Sequence, residues 1–118
     1  MIQNFQDLMV WKKAHQLALD IYAITQQFPQ NEMYGITSQI RRAAVSVSAN
    51  IAEGSKRRTT KDLLHFLNIA SGSNEELKAL LFLSRDLQFL EKGVAIKLLG
   101  ISDEIGAMLF SLSRSLKS

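Results

Sequence analysis

The chain has no cysteine among its 118 residues, and only one proline and six glycines. The first absence rules out disulfides, thiolate zinc sites and a cysteine nucleophile, and it suits a reducing compartment such as the cytoplasm. Few prolines and glycines mean few obligatory breaks, so long helices are expected. No apolar run approaches the roughly 18 residues that cross a bilayer, and no membrane partner is expected. The opening Met1-Ile2-Gln3-Asn4-Phe5 has no basic start leading into an apolar run, so no signal peptide is expected. Aromatic residues make up 8% and form no cluster suited to base stacking. There are two histidines, and Asp62-Leu63-Leu64-His65 has the carboxylate–His spacing of bundle metal sites. A di-metal bundle needs two such motifs and two further inward carboxylates, and a second motif is missing. No P-loop, G-x-S-x-G or G-x-G-x-x-G pattern occurs either. An enzyme, a metal or a cofactor is therefore not expected.

What is present is helical periodicity. Hydrophobic residues are 47% of the chain, enough for one domain over residues 1–118. Val10, Ala14, Leu17, Ile21, Ile24 and Phe28 recur at spacings of three and four, with Trp11, Ala18, Tyr22 and Thr25 beside them. Asp7 is expected as the cap or a first-turn acid of this helix, over about 7–28, and Pro29 as its stop. A second helix over about 36–53 carries Ile36, Ile40, Ala43, Val47 and Ile51, with Gly54 expected at a left-handed C-terminal position. Thr59 and Asp62 match a capping box and open a third helix, about 60–87. Its expected core row is Leu63, Phe66, Ala70, Ser73, Leu77, Leu80, Ser84 and Leu87, widened beyond one seam by Leu64, Leu67, Leu81, Phe82 and Leu83. Gly72 is expected to permit a close approach of backbones. A fourth helix, about 94–116, places Val94, Leu98, Ile101, Ile105, Met108, Leu112 and Leu116 inward. Four such helices with short connections predict an all-α, up-down-up-down antiparallel bundle.

The second helix has an unusual surface. Gln39, Arg42, Ser46, Asn50 and Glu53 share one stripe beside the core row, and most of the remaining positions are small. Polar groups flanking a core are costly unless paired, so the stripe is either a hydrogen-bonded network or a functional surface. Pairing the second and third helices as a hairpin about residues 54–60 puts Arg42 near Ser73 and within reach of Glu76. The same register sets Ser46 near Asn68 and Gln39 near Glu76. Gln39, Arg42, Ser46, Asn50, Glu53, Ser73 and Glu76 are thus the expected structural network, with an Arg42–Glu76 pair inside it. The excess of small and apolar faces predicts an oligomer.

Net charge is +3 and unevenly placed. Residues 41–61 hold Arg41, Arg42, Lys56, Arg57, Arg58 and Lys61 against Glu53 alone, a local excess of five, which leaves −2 for the remainder. Lys56, Arg57, Arg58 and Lys61 sit where a loop meets a helix start, a favourable place for phosphate, although Asp62 opposes it. These four, with Arg41 as a secondary contributor, are the candidate contacts to RNA or DNA. Lys and Arg without stacking aromatics predict phosphate contacts and little base discrimination. A protein-interaction scaffold that binds no nucleic acid is the alternative.

The stretches F-Q-D-L-M-V-W-K-K-A, Q-I-R-R-A, N-I-A-E-G and A-S-G-S-N-E-E-L resemble a bacterial family of four-helix bundle proteins first described as encoded by intervening sequences in 23S ribosomal RNA. The resemblance extends over almost the whole chain, and more distantly to the accessory protein of diversity-generating retroelements. It implies a homopentameric barrel. From the retroelement relatives it further implies a basic surface for nucleic acid and for a partner protein. One departure is visible: the third turn has Gln88 where that family often has glycine.

Overall fold

The structure, a computed structural model, describes residues 4–117. Four helices, α1 (Met9–Thr25), α2 (Ile36–Ser55), α3 (Thr60–Asp86) and α4 (Lys92–Lys117), make up most of it, with 3-10 turns at Phe5–Asp7 and Gln30–Glu32. No strand occurs among the described residues. The fold is all-α. α2 packs on α1 and α3, α4 packs on α3 and α1, and the body measures 44 × 23 × 20 Å.

The helix ends show which local signals prevailed. Asp7 lies in the first 3-10 turn rather than capping α1, whose N-cap is Leu8 in extended conformation without a side-chain bond. α1 stops at Thr25, earlier than its apolar periodicity suggests, because the chain must leave helical geometry ahead of Pro29. Phe28 nevertheless stays buried, with its ring 5.5 Å from that of Phe89. Thr59 caps α3 as expected, its hydroxyl accepting from the Asp62 N–H at 3.1 Å.

Gly54 does not terminate α2 in a left-handed conformation; it is helical and buried, and α2 continues to Ser55. Close packing is what glycine permits there. A Cβ at this position would lie 2.9 Å from Phe66 Cβ and 3.2 Å from a Leu63 methyl. At Gly72, where a close approach was expected, nothing lies within 4 Å of such a Cβ. Gln88 is left-handed at φ 65° and closes α3 in a Schellman arrangement. Its N–H donates to the Arg85 carbonyl, and the Phe89 N–H donates to the Ser84 carbonyl, both at 2.9 Å. A non-glycine residue in this geometry costs on the order of 1 kcal/mol.

The core is rotated relative to the expected rows. On α3 the structure buries Leu67 and Leu81, expected to widen the row, and Asn74, which was not expected inside. It leaves Phe82, Leu83 and Leu87 exposed, with Phe66 and Ser73 only partly covered. On α4 it buries Ala95, Ser102 and Leu109, while Val94, Ile101, Met108, Leu112 and Leu116 are partly buried. A heptad reading picks out one seam, but α3 has α2 on one side and α4 on the other. Its deepest positions therefore lie between the two seams. The α2–α3 register also differs from expectation by about one turn. Ser46 faces Ser73, not Asn68, and Gly54 faces Phe66. The tight Gly54 contact holds the helices at this register.

Candidate functional site

The loop after α2 is short and fully outside the core, so Lys56, Arg57, Arg58 and Lys61 are all exposed. They are not equivalent. Arg57 forms an ion pair with Glu53, one turn back on α2, and its guanidinium lies 4.4 Å from the centroid of the Phe66 ring. Its charge is partly spent within the chain. Lys56, Arg58 and Lys61 have no ion pair among the described residues.

Tertiary structure brings further cations to this end. α4 finishes beside the start of α3, since Leu64, Phe110, Ser113 and Lys117 line one surface depression. Arg114 lies within one turn of Lys117, and both are exposed without an ion pair among the described residues. α1 starts at the same end. Arg41, near the beginning of α2, bonds to Thr25 at the end of α1, whereas the 3-10 turn before α1 also touches α2. Those two contacts are separated by about 24 Å of helix, so the turn reaches α2 only near Ser55. Lys12 is thereby added to the same pole, exposed and unpaired among the described residues. Glu53, Asp62 and Asp7 are the acids nearby.

The same pole gathers aromatic rings that the sequence reading did not group. Trp11 is half-buried against the core, with the Phe5 ring edge-on at 5.0 Å. His15, one turn along α1, stacks on Trp11 at 4.7 Å and 13°. Phe66 carries His65 edge-on at 5.5 Å in addition to Arg57. The i, i+4 spacing of Trp11 and His15 is the signal that could have found the first group.

The polar stripe of α2 divides into bonded and open parts. The Ser46 and Ser73 hydroxyls lie 2.8 Å apart. The Asn50 amide donates to the Ser46 carbonyl at 2.8 Å and to its hydroxyl at 3.0 Å. The expected Arg42–Glu76 pair is not formed. Both residues are exposed, and with Gln39, Ser46, Val45 and Tyr22 they line an open groove of about 520 Å³ over the outer face of α2. The groove exists because serine, alanine and valine cannot fill it.

The two adjacent arginines exchange the parts expected of them. Arg41, read as a surface contact, donates from Nε to Thr25 Oγ1 at 2.8 Å and lies 4.7 Å from the Tyr22 ring centroid. The Thr25 hydroxyl in turn donates to the Ile21 carbonyl at 2.6 Å. Arg42, read as structural, has no bonded partner among the described residues. One step along a helix turns a side chain through 100°, which carries Arg41 to the α1 seam and Arg42 to the groove.

The most completely buried polar link lies elsewhere. Asn74 and Ser102 are 2% and 1% exposed and bond reciprocally across α3 and α4. The Asn74 amide donates to the Ser102 carbonyl at 2.9 Å, and the Ser102 hydroxyl donates to Asn74 Oδ1 at 3.0 Å. No group of three or more potential metal ligands occurs among the described residues. No helix there is long and apolar enough to cross a membrane.

Comparison with known proteins adds a family. No curated protein matches the chain. Among solved structures it is similar to a protein of unknown function from the S23 ribosomal protein family of Bacteroides thetaiotaomicron VPI-5482. The TM-score is 0.81 at 26% identity, over 89% of this chain and 98% of that one. A family model described as 23S rRNA-intervening sequence protein matches residues 6–111. With nearly its whole length so matched, the chain belongs to the 23S rRNA-intervening sequence protein family.

Proposed function

We propose that this protein is a non-enzymatic homo-oligomer that binds nucleic-acid phosphates, without sequence preference, through the basic pole. The observation that carries the reading is the gathering at one pole of Lys12, Lys56, Arg58, Lys61, Arg114 and Lys117, all exposed and unpaired among the described residues. Like charges placed together destabilise a chain unless a counter-charge is supplied, and a polyphosphate backbone supplies it. Arg57 is a weaker contributor because of Glu53, and Arg41 is committed to α1. The order of contacts along each helix pair supports an up-down-up-down bundle. Ring assembly, with five copies on the strength of the family resemblance, repeats the pole once per subunit, so that phosphate contacts add. Its place is the cytoplasm.

Salt titration of binding to a labelled RNA tests the proposal. If six phosphates are neutralised, affinity falls about a thousandfold between about 50 and about 200 mM salt. Arg58→Glu with Lys61→Glu abolishes binding and leaves helicity and particle mass unchanged. Undiminished binding by that variant would falsify the reading. The open groove with Arg42 and Glu76 on its walls favours a second reading, a scaffold for protein partners without nucleic acid. Native mass measurement distinguishes self-assembly from a foreign partner: a monomer at micromolar concentration leaves only the latter.

A further inference from the structure

Resting on that nucleic-acid reading, we infer that the basic pole takes single-stranded rather than duplex nucleic acid, with the Trp11–His15 stack as the platform for an unpaired base. Phosphate attraction alone points the other way. A duplex presents one charge per about 1.7 Å of axis and a single strand far fewer, so a purely electrostatic pole prefers the duplex. The aromatic groups alter that balance.

Trp11 is held on two sides, by the core beneath it and by the Phe5 ring edge at 5.0 Å. His15 lies nearly parallel to it, 4.7 Å away and 13° inclined. His15 is exposed, so with one ring face against the indole its other face meets water. That is a flat, positioned aromatic surface beside unpaired cations. Every base has a π-face, so such a platform accepts any unpaired base and needs no hydrogen-bond code. A duplex keeps its bases stacked on one another and has no face to present. Arg57 over Phe66, at 4.4 Å, offers a second flat surface across the loop, since guanidinium planes also stack on bases. Lys12, next to Trp11 on α1, and the cations Lys56, Arg58 and Lys61 at the same pole take the adjoining phosphates.

Trp11 is the sole tryptophan, so its fluorescence reports on the platform without labelling. The experiment titrates the full chain, in its native assembly, with a single-stranded oligoribonucleotide of about 16 nucleotides and with the corresponding duplex. The single strand quenches Trp11 and binds more tightly than the duplex. His15→Ala lowers single-strand affinity about tenfold and leaves duplex affinity unchanged, while His15→Tyr restores it. Equal binding of strand and duplex with unchanged Trp11 emission overturns the platform and leaves phosphate binding standing. An equal loss for both ligands in His15→Ala also overturns it, because His15 then acts only through α1. If neither ligand binds the parent protein, the platform and the nucleic-acid reading fall together.

Discussion

The seam between α3 and α4 and the outer seam between α2 and α3 are built from the same polar side chains, serine and asparagine, with opposite results. At the first, Asn74 and Ser102 are sealed from water and satisfy each other through two bonds. At the second, Ser46 lines a groove that stays open while bonding Ser73 and Asn50, and Arg42 and Glu76 stand on its walls unpaired among the described residues. A buried polar pair is costly to break on one side, because the survivor loses water and partner together. A pair at an open groove can turn to solvent. The first seam therefore locks how the helices meet, while the second leaves a surface available to something outside the chain.

The largest expected effect follows from breaking the sealed seam. Asn74→Ala leaves the Ser102 hydroxyl without its partner and opens a small void, lowering stability by about 2–3 kcal/mol. Ser46→Ala, at the open seam, costs about 1 kcal/mol or less. Urea unfolding of the two variants checks the contrast, and equal losses would remove it. Replacing both partners, Asn74→Leu with Ser102→Ala, recovers most of the loss, because no orphaned polar group remains.

A middle-sized effect separates the two arginines. Arg41→Ala removes a charged hydrogen bond to Thr25 and a contact with the Tyr22 ring, lowering stability by about 1–2 kcal/mol. Arg42→Ala changes the stability of the isolated chain by no more than about 0.5 kcal/mol. Thermal melts over a range of protein concentrations sharpen the comparison. If the groove is where another copy seats, Arg42→Ala lowers the melting temperature only at concentrations where the oligomer forms. A concentration-independent loss for Arg42→Ala equal to that of Arg41→Ala would mean that both arginines hold the chain itself.

The smallest effect belongs to the rim of the α3–α4 seam. Lys78 bonds Asp103 at 2.9 Å and has Glu75 at 4.0 Å. The hydrogen bond to Asp103, and then the charges of Asp103 and Glu75, raise its pKa above the ordinary 10.5. A raised lysine pKa stabilises the fold below the unfolded value, and that contribution is lost as pH rises through the folded one. Lys78→Met therefore lowers the melting temperature slightly at neutral pH, and the gap to the parent closes above the ordinary lysine value. A gap unchanged at high pH would assign the effect to packing of the lysine stem.

Much of the architecture was legible beforehand because its causes are local. Thr59 with Asp62, the break ahead of Pro29 and the apolar spacing of three and four all act within a turn or two of chain. The left-handed conformation of Gln88 was signalled by the family resemblance, in which glycine often stands there, and not by any local spacing. The candidate site was legible only in part. A run of Lys and Arg between two helices announces an exposed basic loop. Nothing in that run says that Arg57 is drawn back onto Phe66 and Glu53, or that Arg114 and Lys117 arrive from the far end of the chain.

By itself, then, the sequence determined four helices, their approximate limits and the exposed basic loop, since each follows from neighbours within a few residues. Tertiary structure decided which face of α3 and α4 lies deepest, because that depends on having a helix on either side. It also decided which arginine is free. Adjacent side chains point 100° apart, and only the packed neighbours settle which of them meets an acceptor. Above all it made a pole out of a loop. Lys61 and Lys117 share one end of the molecule because α4 finishes beside the start of α3, a relation that no local spacing encodes.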